Sequence, residues 1–331
     1  MKTVQAGKAK IDSSFGAARI LASIAIVWVH TPRTDPLNRA MPLGVFATAF
    51  FAAAAMFFLA RSLLREPGRC YFAYTKHRIV RLGAPFLVWT AFYLAFRNVC
   101  RVYITHEAPV FIDPWILLVG SSLQLWFLPF LLIASLIAFP IIKVATRSSH
   151  NRHVTAIVLA VLGLVMAFIP LPTFHGPADL ARFQRCVWLV TPCVMWGLSV
   201  ALYYDVLAVT VLRSKWATPV GAAITLVTML CLCFDYGAVW AKNIGGLGWL
   251  LVSLSLPKTK TSELLAKLAP LGFGLYLIHP FIQGVLRAMA QVLHASGSVS
   301  IELLFFPLTI TGALALSWVL YRNSRTAWLI A

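Results

Sequence analysis

Arg19, within an apolar run at residues 17–29, and His30, which closes that run, are two ionisable groups near the start of the chain. Eleven positions separate them. At about 100° per residue this is three turns plus roughly 20°, so in a helix both side chains fall on nearly the same face. Their axial separation is then roughly 16 Å. An ionisable group in a spanning helix is costly, usually turns inward and is a functional hypothesis by default. Two on one face outline a path through a helix bundle. His30 is the best general base available in such a path, because imidazole titrates nearest neutrality. The plain alternative is a polar residue at a helix end with no chemistry.

A second cluster is Lys76-His77-Arg78-Ile79-Val80-Arg81, directly before a long apolar segment. Arg78 and Arg81 are three apart and so neighbours on a helix face. Paired guanidiniums at a membrane's inner edge suit a polyanion such as a nucleotide phosphate. The alternative is a basic flank that snorkels to lipid headgroups.

His279 lies within a late apolar run, Gly272 to Pro280. Pro280 deprives a carbonyl one turn earlier of its usual donor, so a kink is expected there. His279 and the nearby Tyr276 are then candidates to line a cavity, or His279 makes one structural interhelical hydrogen bond. Trp126, in Leu125-Trp126-Phe127-Leu128, is a further cavity candidate, though such aromatics more often pack. The other histidines sit in basic loops (His77, His150, His153) or on the opposite side (His106, His175, His294). No HExxH or His-plus-carboxylate spacing occurs, so no metal site is expected. The few serines lack a GxSxG elbow.

Composition sets what must hold these groups. The chain has 331 residues, 60% hydrophobic and 11% charged, whereas a soluble domain carries about 25% charged residues. A membrane protein is expected. The formal net charge of +18 raises nucleic-acid binding, but the basic residues fall between apolar stretches rather than on one arm, so none is expected. The six cysteines read as small buried hydrophobes rather than as disulfides or metal ligands. Arg19 interrupts the first apolar run and no small-residue cleavage pattern follows, so this run reads as an uncleaved helix.

Apolar windows of spanning length predict an all-α bundle of about ten transmembrane helices, at 15–31, 42–64, 82–99, 123–144, 154–169, 187–204, 218–234, 244–256, 268–293 and 301–321. The eighth is short and rich in glycine (Gly245, Gly246, Gly248), and residues 113–120 read as an interfacial or re-entrant piece. With both ends cytoplasmic, inner segments hold 19 of the 28 basic residues and outer segments 7. That asymmetry fits the positive-inside rule. It gives one membrane domain over 1–331, with cytoplasmic segments at 1–14 and 322–331. Arg19 lies towards the cytosol and His30 towards the far side.

These features together resemble the acyltransferase 3 family of integral membrane acyltransferases, from Phe15 to about Tyr321. The resemblance rests on Arg19 and His30 in helix one, on Arg78-Ile79-Val80-Arg81 followed by Pro85-Phe86, on Leu125–Leu128, and on Tyr276-Leu277-Ile278-His279-Pro280. It implies transfer of an acyl group, commonly acetyl from cytosolic acetyl-CoA, to a hydroxyl of a surface or exported glycan or a lipid-linked sugar. The donor is a substrate, and no permanently bound cofactor is implied. By resemblance His30 is the catalytic His, acting as base or as covalent acyl carrier. Arg19 is the helix-one Arg needed for activity, and Arg78 and Arg81 are the pair linked with the donor. A multi-pass protein of the bacterial inner membrane, with polysaccharide assembly proteins as partners, is implied too. Two features depart from the family. Phe50-Phe51 leads into Ala52-Ala53-Ala54-Ala55 where many members have Ser-Gly, and Asp12 is seven residues before Arg19 where many have Asp adjacent. No hydrolase-like domain follows the last helix, which implies transfer completed within the membrane domain. Two rival readings of the same residues are a transporter or flippase for glycans or small anions, with Arg19 and His30 lining the permeation path, and a non-catalytic partner in polysaccharide export.

Overall fold

A computed structural model describes residues 2–31, 34–110, 113–234, 239–293 and 298–330, with the side chains of residues 2–12, 35, 36 and 239 left aside. Arg33, Asp235 and His294, and the side chains of Asp12 and Asp35, therefore lie outside the described residues. The described chain is helical, with no strand among the described residues. The helices are α1 (Lys2–His30), α2 (Asp35–Asn38), α3 (Phe46–Arg65), α4 (Tyr71–Arg78), α5 (Ala84–Tyr103), α6 (Ile116–Val119) and α7 (Phe127–Ala145). The second half holds α8 (Ser149–Phe168), α9 (Ala178–Thr210), α10 (Ala217–Phe234), α11 (Val239–Ser255), α12 (Lys260–Lys267), α13 (Gly272–Val292) and α14 (Val299–Arg322).

Nine helical stretches among the described residues are long and apolar enough to cross a membrane, and they match nine of the ten predicted windows. In hydrocarbon every backbone polar group must be satisfied within the segment, which long apolar helices do. The remaining window, the eighth, is α11, described from Val239 to Ser255 and wedged among α1, α3, α9 and α10. Its glycines make that wedge possible. A Cβ on Gly246 would lie 2.6 Å from the Ala49 Cβ and 2.8 Å from the Phe50 nitrogen.

Two other elements differ from expectation. The predicted window 187–204 is the middle of the 33-residue α9, so Arg182 and Arg185 are helical rather than in a loop. The basic cluster before the third window is itself helical: α4 passes through a π-helical turn, Ile79–Gly83, into α5. Such turns inside helices are frequent at functional sites. The expected interfacial piece is α6, whose start is held by the Trp115 amide donating to Asp113 Oδ1 (3.0 Å).

The core sits where α3 meets α9, α7 and α11. Gly197 of α9 lies against α3 so closely that a Cβ there would be 2.2 Å from the Ala53 carbonyl oxygen. Ala52, Ala53 and Ala54 are buried. The run of alanines that departs from the family pattern thus forms a tight helix contact. By contrast α8 and α14 turn large apolar side chains outward, among them Ile157, Val161, Leu164, Leu304 and Val319. These are the faces a bilayer covers.

Candidate active site

Arg19 and His30 lie on one unbroken helix, α1, and α13 runs beside it in the same direction. Near the Arg19 end, the Arg19 guanidinium (Nη2) donates to the Ala269 carbonyl, just beyond α12. A cation at that position complements the carbonyl end of α12. Ser23 Oγ donates to the Gly272 carbonyl (3.1 Å). Near the His30 end the donors come from α13: Arg287 Nη2 to the His30 carbonyl (2.7 Å) and Gln283 Nε2 to Thr31 Oγ1 (3.1 Å). Side-chain hydrogen bonds thus fix α1 against α13 and the turn before it.

A cavity of about 430 Å³ opens at the Arg19 end, between α1, α3, α4, α7 and α13. That volume falls within the range of small-molecule sites. Five basic side chains line it: Arg19, Arg69, His77, Arg78 and Arg81. No carboxylate is among its described lining residues; the nearest involvement of one is Glu66, 3.6 Å from Arg69. Phe15, Phe51, Phe127, Phe273 and Tyr276 form the apolar part. The cavity is therefore a cationic pocket with an aromatic interior.

Tyr74 organises the basic side. Its ring is 1% exposed, and its hydroxyl donates to the Ser135 carbonyl (3.1 Å) while accepting from Arg78 Nε (3.2 Å). The Arg78 and Arg69 guanidiniums stand over the same ring at 5.4 and 5.6 Å. Two cations on one aromatic platform keep their remaining N–H donors available to an anion. Arg78 is thus more constrained than a snorkelling flank residue.

His30 is not in the cavity wall. It lies beyond, where its ring stacks on His279 with centroids 5.3 Å apart and planes 24° apart. His279 is fully buried. Its Nδ1 is 3.2 Å from the Leu275 carbonyl, which fits a proton on that nitrogen, and its Nε2 is buried with no hydrogen-bond partner among the described residues. Tyr276, in the cavity wall, is one turn back on α13 with its ring 6.3 Å from His279. Three rings thus lead from the cavity to His30. The Tyr276 hydroxyl donates to the Gln124 carbonyl, and Tyr93 donates to the Leu277 carbonyl (2.5 Å), holding α13 on either side of the step. The helix is continuous through Pro280.

A family model described as an acyltransferase domain matches residues 12–322. The chain belongs to the acyltransferase 3 family. Neither a curated protein nor a solved structure matches the chain. The match covers every residue singled out above and makes this protein an acyltransferase with multiple membrane-spanning helices, which sets acyl transfer ahead of a transport or purely structural role.

Of the residues that the sequence singled out, this acyltransferase brings Arg19, Arg78, Arg81 and Tyr276 into one cavity and pairs His30 with His279 outside it. Trp126 lines neither place: it is buried in an aromatic cluster with Phe127 and Phe130, and Phe127 faces the cavity instead. Sequence reasoning missed Tyr74, Arg69, Gln283 and the clamp by Arg287. Only Tyr74 carried a local signal, four residues before Arg78 and hence on the same helix face.

Proposed function

We propose that this acyltransferase moves an acyl group, acetyl being the simplest, from acyl-CoA to a hydroxyl of a surface or exported glycan. The observation that carries the reading is the convergence of Arg19, Arg69, Arg78 and Arg81 on a cavity with an aromatic interior. A nucleotide thioester has the matching polarity: several phosphates at one end and a slender, largely uncharged arm at the other. Guanidiniums form paired, charge-assisted bonds to phosphate, and the aromatic walls suit the arm. On this reading the Arg19 end faces the cytosol of a bacterial inner membrane, where acyl-CoA is made, and the His30 end faces the acceptor.

The arm extends past Arg19 to Tyr276, so the thioester meets the His279–His30 pair. His30 takes the proton from the acceptor hydroxyl as its oxygen bonds to the thioester carbonyl carbon. The carbon–sulfur bond then breaks, and the proton passes to the departing thiolate. His279 supports the imidazolium formed on His30 by fixing its ring plane.

The test uses membranes containing the full chain, acetyl-CoA labelled in the acetyl group, and glycan. Label in the glycan that disappears with His30→Ala, at unchanged protein level, is the expected result. Transfer that survives the substitution removes His30 from the mechanism, and no transfer to any glycan removes the acceptor class.

A further inference from the structure

At the far end of α5 from the basic cavity, α5 and α13 part. They touch through Phe96 and Phe281 (centroids 5.0 Å), and Gly284 lies so near Phe96 that a Cβ would be 2.9 Å from its ring. From Ala84 to Arg97 the rise is roughly 20 Å, so this second opening lies near the other end of the spanning helices.

Two neighbouring cavities there share part of one wall. One, about 320 Å³, has a polar wall with Arg97, Arg101, Ser121, Ser122, Arg287 and Gln291. The other, about 470 Å³, is a groove lined by Val99, Val285, Met289, Val292 and Leu293. Phe96, Cys100, Ile104 and Ala288 belong to both walls. Arg101 is paired with Glu107 (2.9 Å), whereas Arg97 is exposed and has no hydrogen bond or ion pair among the described residues. Arg287 keeps one Nη2 on the His30 carbonyl and still lines the polar wall.

A groove of hydrocarbon character side by side with a cleft of guanidiniums, the two sharing Phe96, Cys100, Ile104 and Ala288, has the form of an amphiphile. We infer that the α5–α13 cleft binds a lipid phosphate, its chain in the apolar groove and its phosphate at Arg97 and Arg287. Charge selects the head, since a neutral headgroup leaves Arg97 unmatched, and the apolar groove selects a lipid over free phosphate. Through Arg287 the head is held one hydrogen bond from the backbone of His30. On the acyl-transfer reading this seats a membrane-borne acceptor beside the reacting histidine; the binding itself does not depend on that reading.

The test is native mass spectrometry of the full chain in detergent, titrated with dioleoyl phosphatidic acid and, separately, with dioleoylglycerol, which has the same chains and no phosphate. The expected result is a first phosphatidic acid adduct that binds at least tenfold more tightly than the glyceride. Arg97→Gln, at an exposed position, weakens it about tenfold, as does Ala288→Trp, which fills the shared wall. Val158→Trp, on the outward face of α8, leaves it unchanged. Equal binding of the glyceride, wild-type binding by Arg97→Gln, or displacement by millimolar inorganic phosphate each overturns the inference. A chain that binds phosphatidic acid but transfers no acyl group keeps this site and defeats the proposed function; transfer without lipid binding does the reverse.

Discussion

The imidazoles of His30 and His279 lie 5.3 Å apart between ring centroids and within 24° of parallel, although one closes the first helix and the other sits inside α13. Two imidazoles stacked in this way restrict each other's orientation, since neither ring can turn without displacing the other. The pair therefore behaves as one unit.

This unit gives the first prediction. His30→Ala should lower acyl transfer by about 10²- to 10⁴-fold, the usual worth of a positioned general base. His279→Ala should lower kcat about tenfold or more with donor KM unchanged. The double variant should be no worse than His30→Ala alone, since residues acting together are not additive. Steady-state kinetics on the four proteins checks this; full additivity separates the two rings.

The second prediction concerns Tyr74. Tyr74→Phe keeps the ring beneath Arg69 and Arg78 and removes the hydroxyl that accepts from Arg78 Nε. Donor KM should rise several-fold at constant kcat. Arg78→Ala with Arg81→Ala should raise it more, by about tenfold or beyond, as charge-assisted bonds are lost. An unaltered donor KM in the double variant would leave the pair a topological role only.

Ionic strength supplies a third. The cavity gathers five basic side chains and no carboxylate among its described lining, so its attraction for a polyanion is long-range and open to screening. Raising salt from about 0.05 to 0.5 M shortens the screening length severalfold. Donor KM should climb with salt while kcat at saturation stays flat. Acyl donors without phosphates, such as a simple thioester, should lose the salt dependence.

A fourth prediction is structural. A Cβ on Gly197 would lie 2.2 Å from the Ala53 carbonyl oxygen, while one on Gly68 meets nothing within 4 Å. Overpacking of this kind costs about 1–3 kcal/mol. Gly197→Ala should lower the thermal midpoint in detergent by several degrees and Gly68→Ala should not. Equal midpoints would mean that α3 and α9 can separate at little cost.

The spanning helices were legible because a bilayer permits few spellings: long apolar runs, with polar groups inside them conspicuous. Arg19, His30 and His279 stood out for that reason. Arg78 and Arg81 were legible by spacing and charge, though not the π-helical turn that carries Arg81, which with α4 packs on α7. Residues whose role comes from a distant partner were silent. Arg287 counted as one more charge until its bond to the His30 carbonyl appeared, and Trp126, a cavity candidate in a run of aromatics, packs while its neighbour Phe127 lines the cavity. The eighth window was weakest because α11 answers to its neighbours rather than to lipid.

The clamps between α1 and α13 have a mechanical consequence. Arg19 and Ser23 reach the Ala269 and Gly272 carbonyls, and Gln283 and Arg287 reach back to Thr31 and His30. The two helices that carry the paired rings are thereby one rigid strut, pinned near both ends. On the proposed reading, any opening and closing during turnover would fall to the other wall, where α4 and the π-helical turn carry Arg78 and Arg81. That wall includes half-exposed to exposed positions such as Ile79 and Val80. On that reading, grip on the donor would loosen there to release product while the spacing of the two histidines is held.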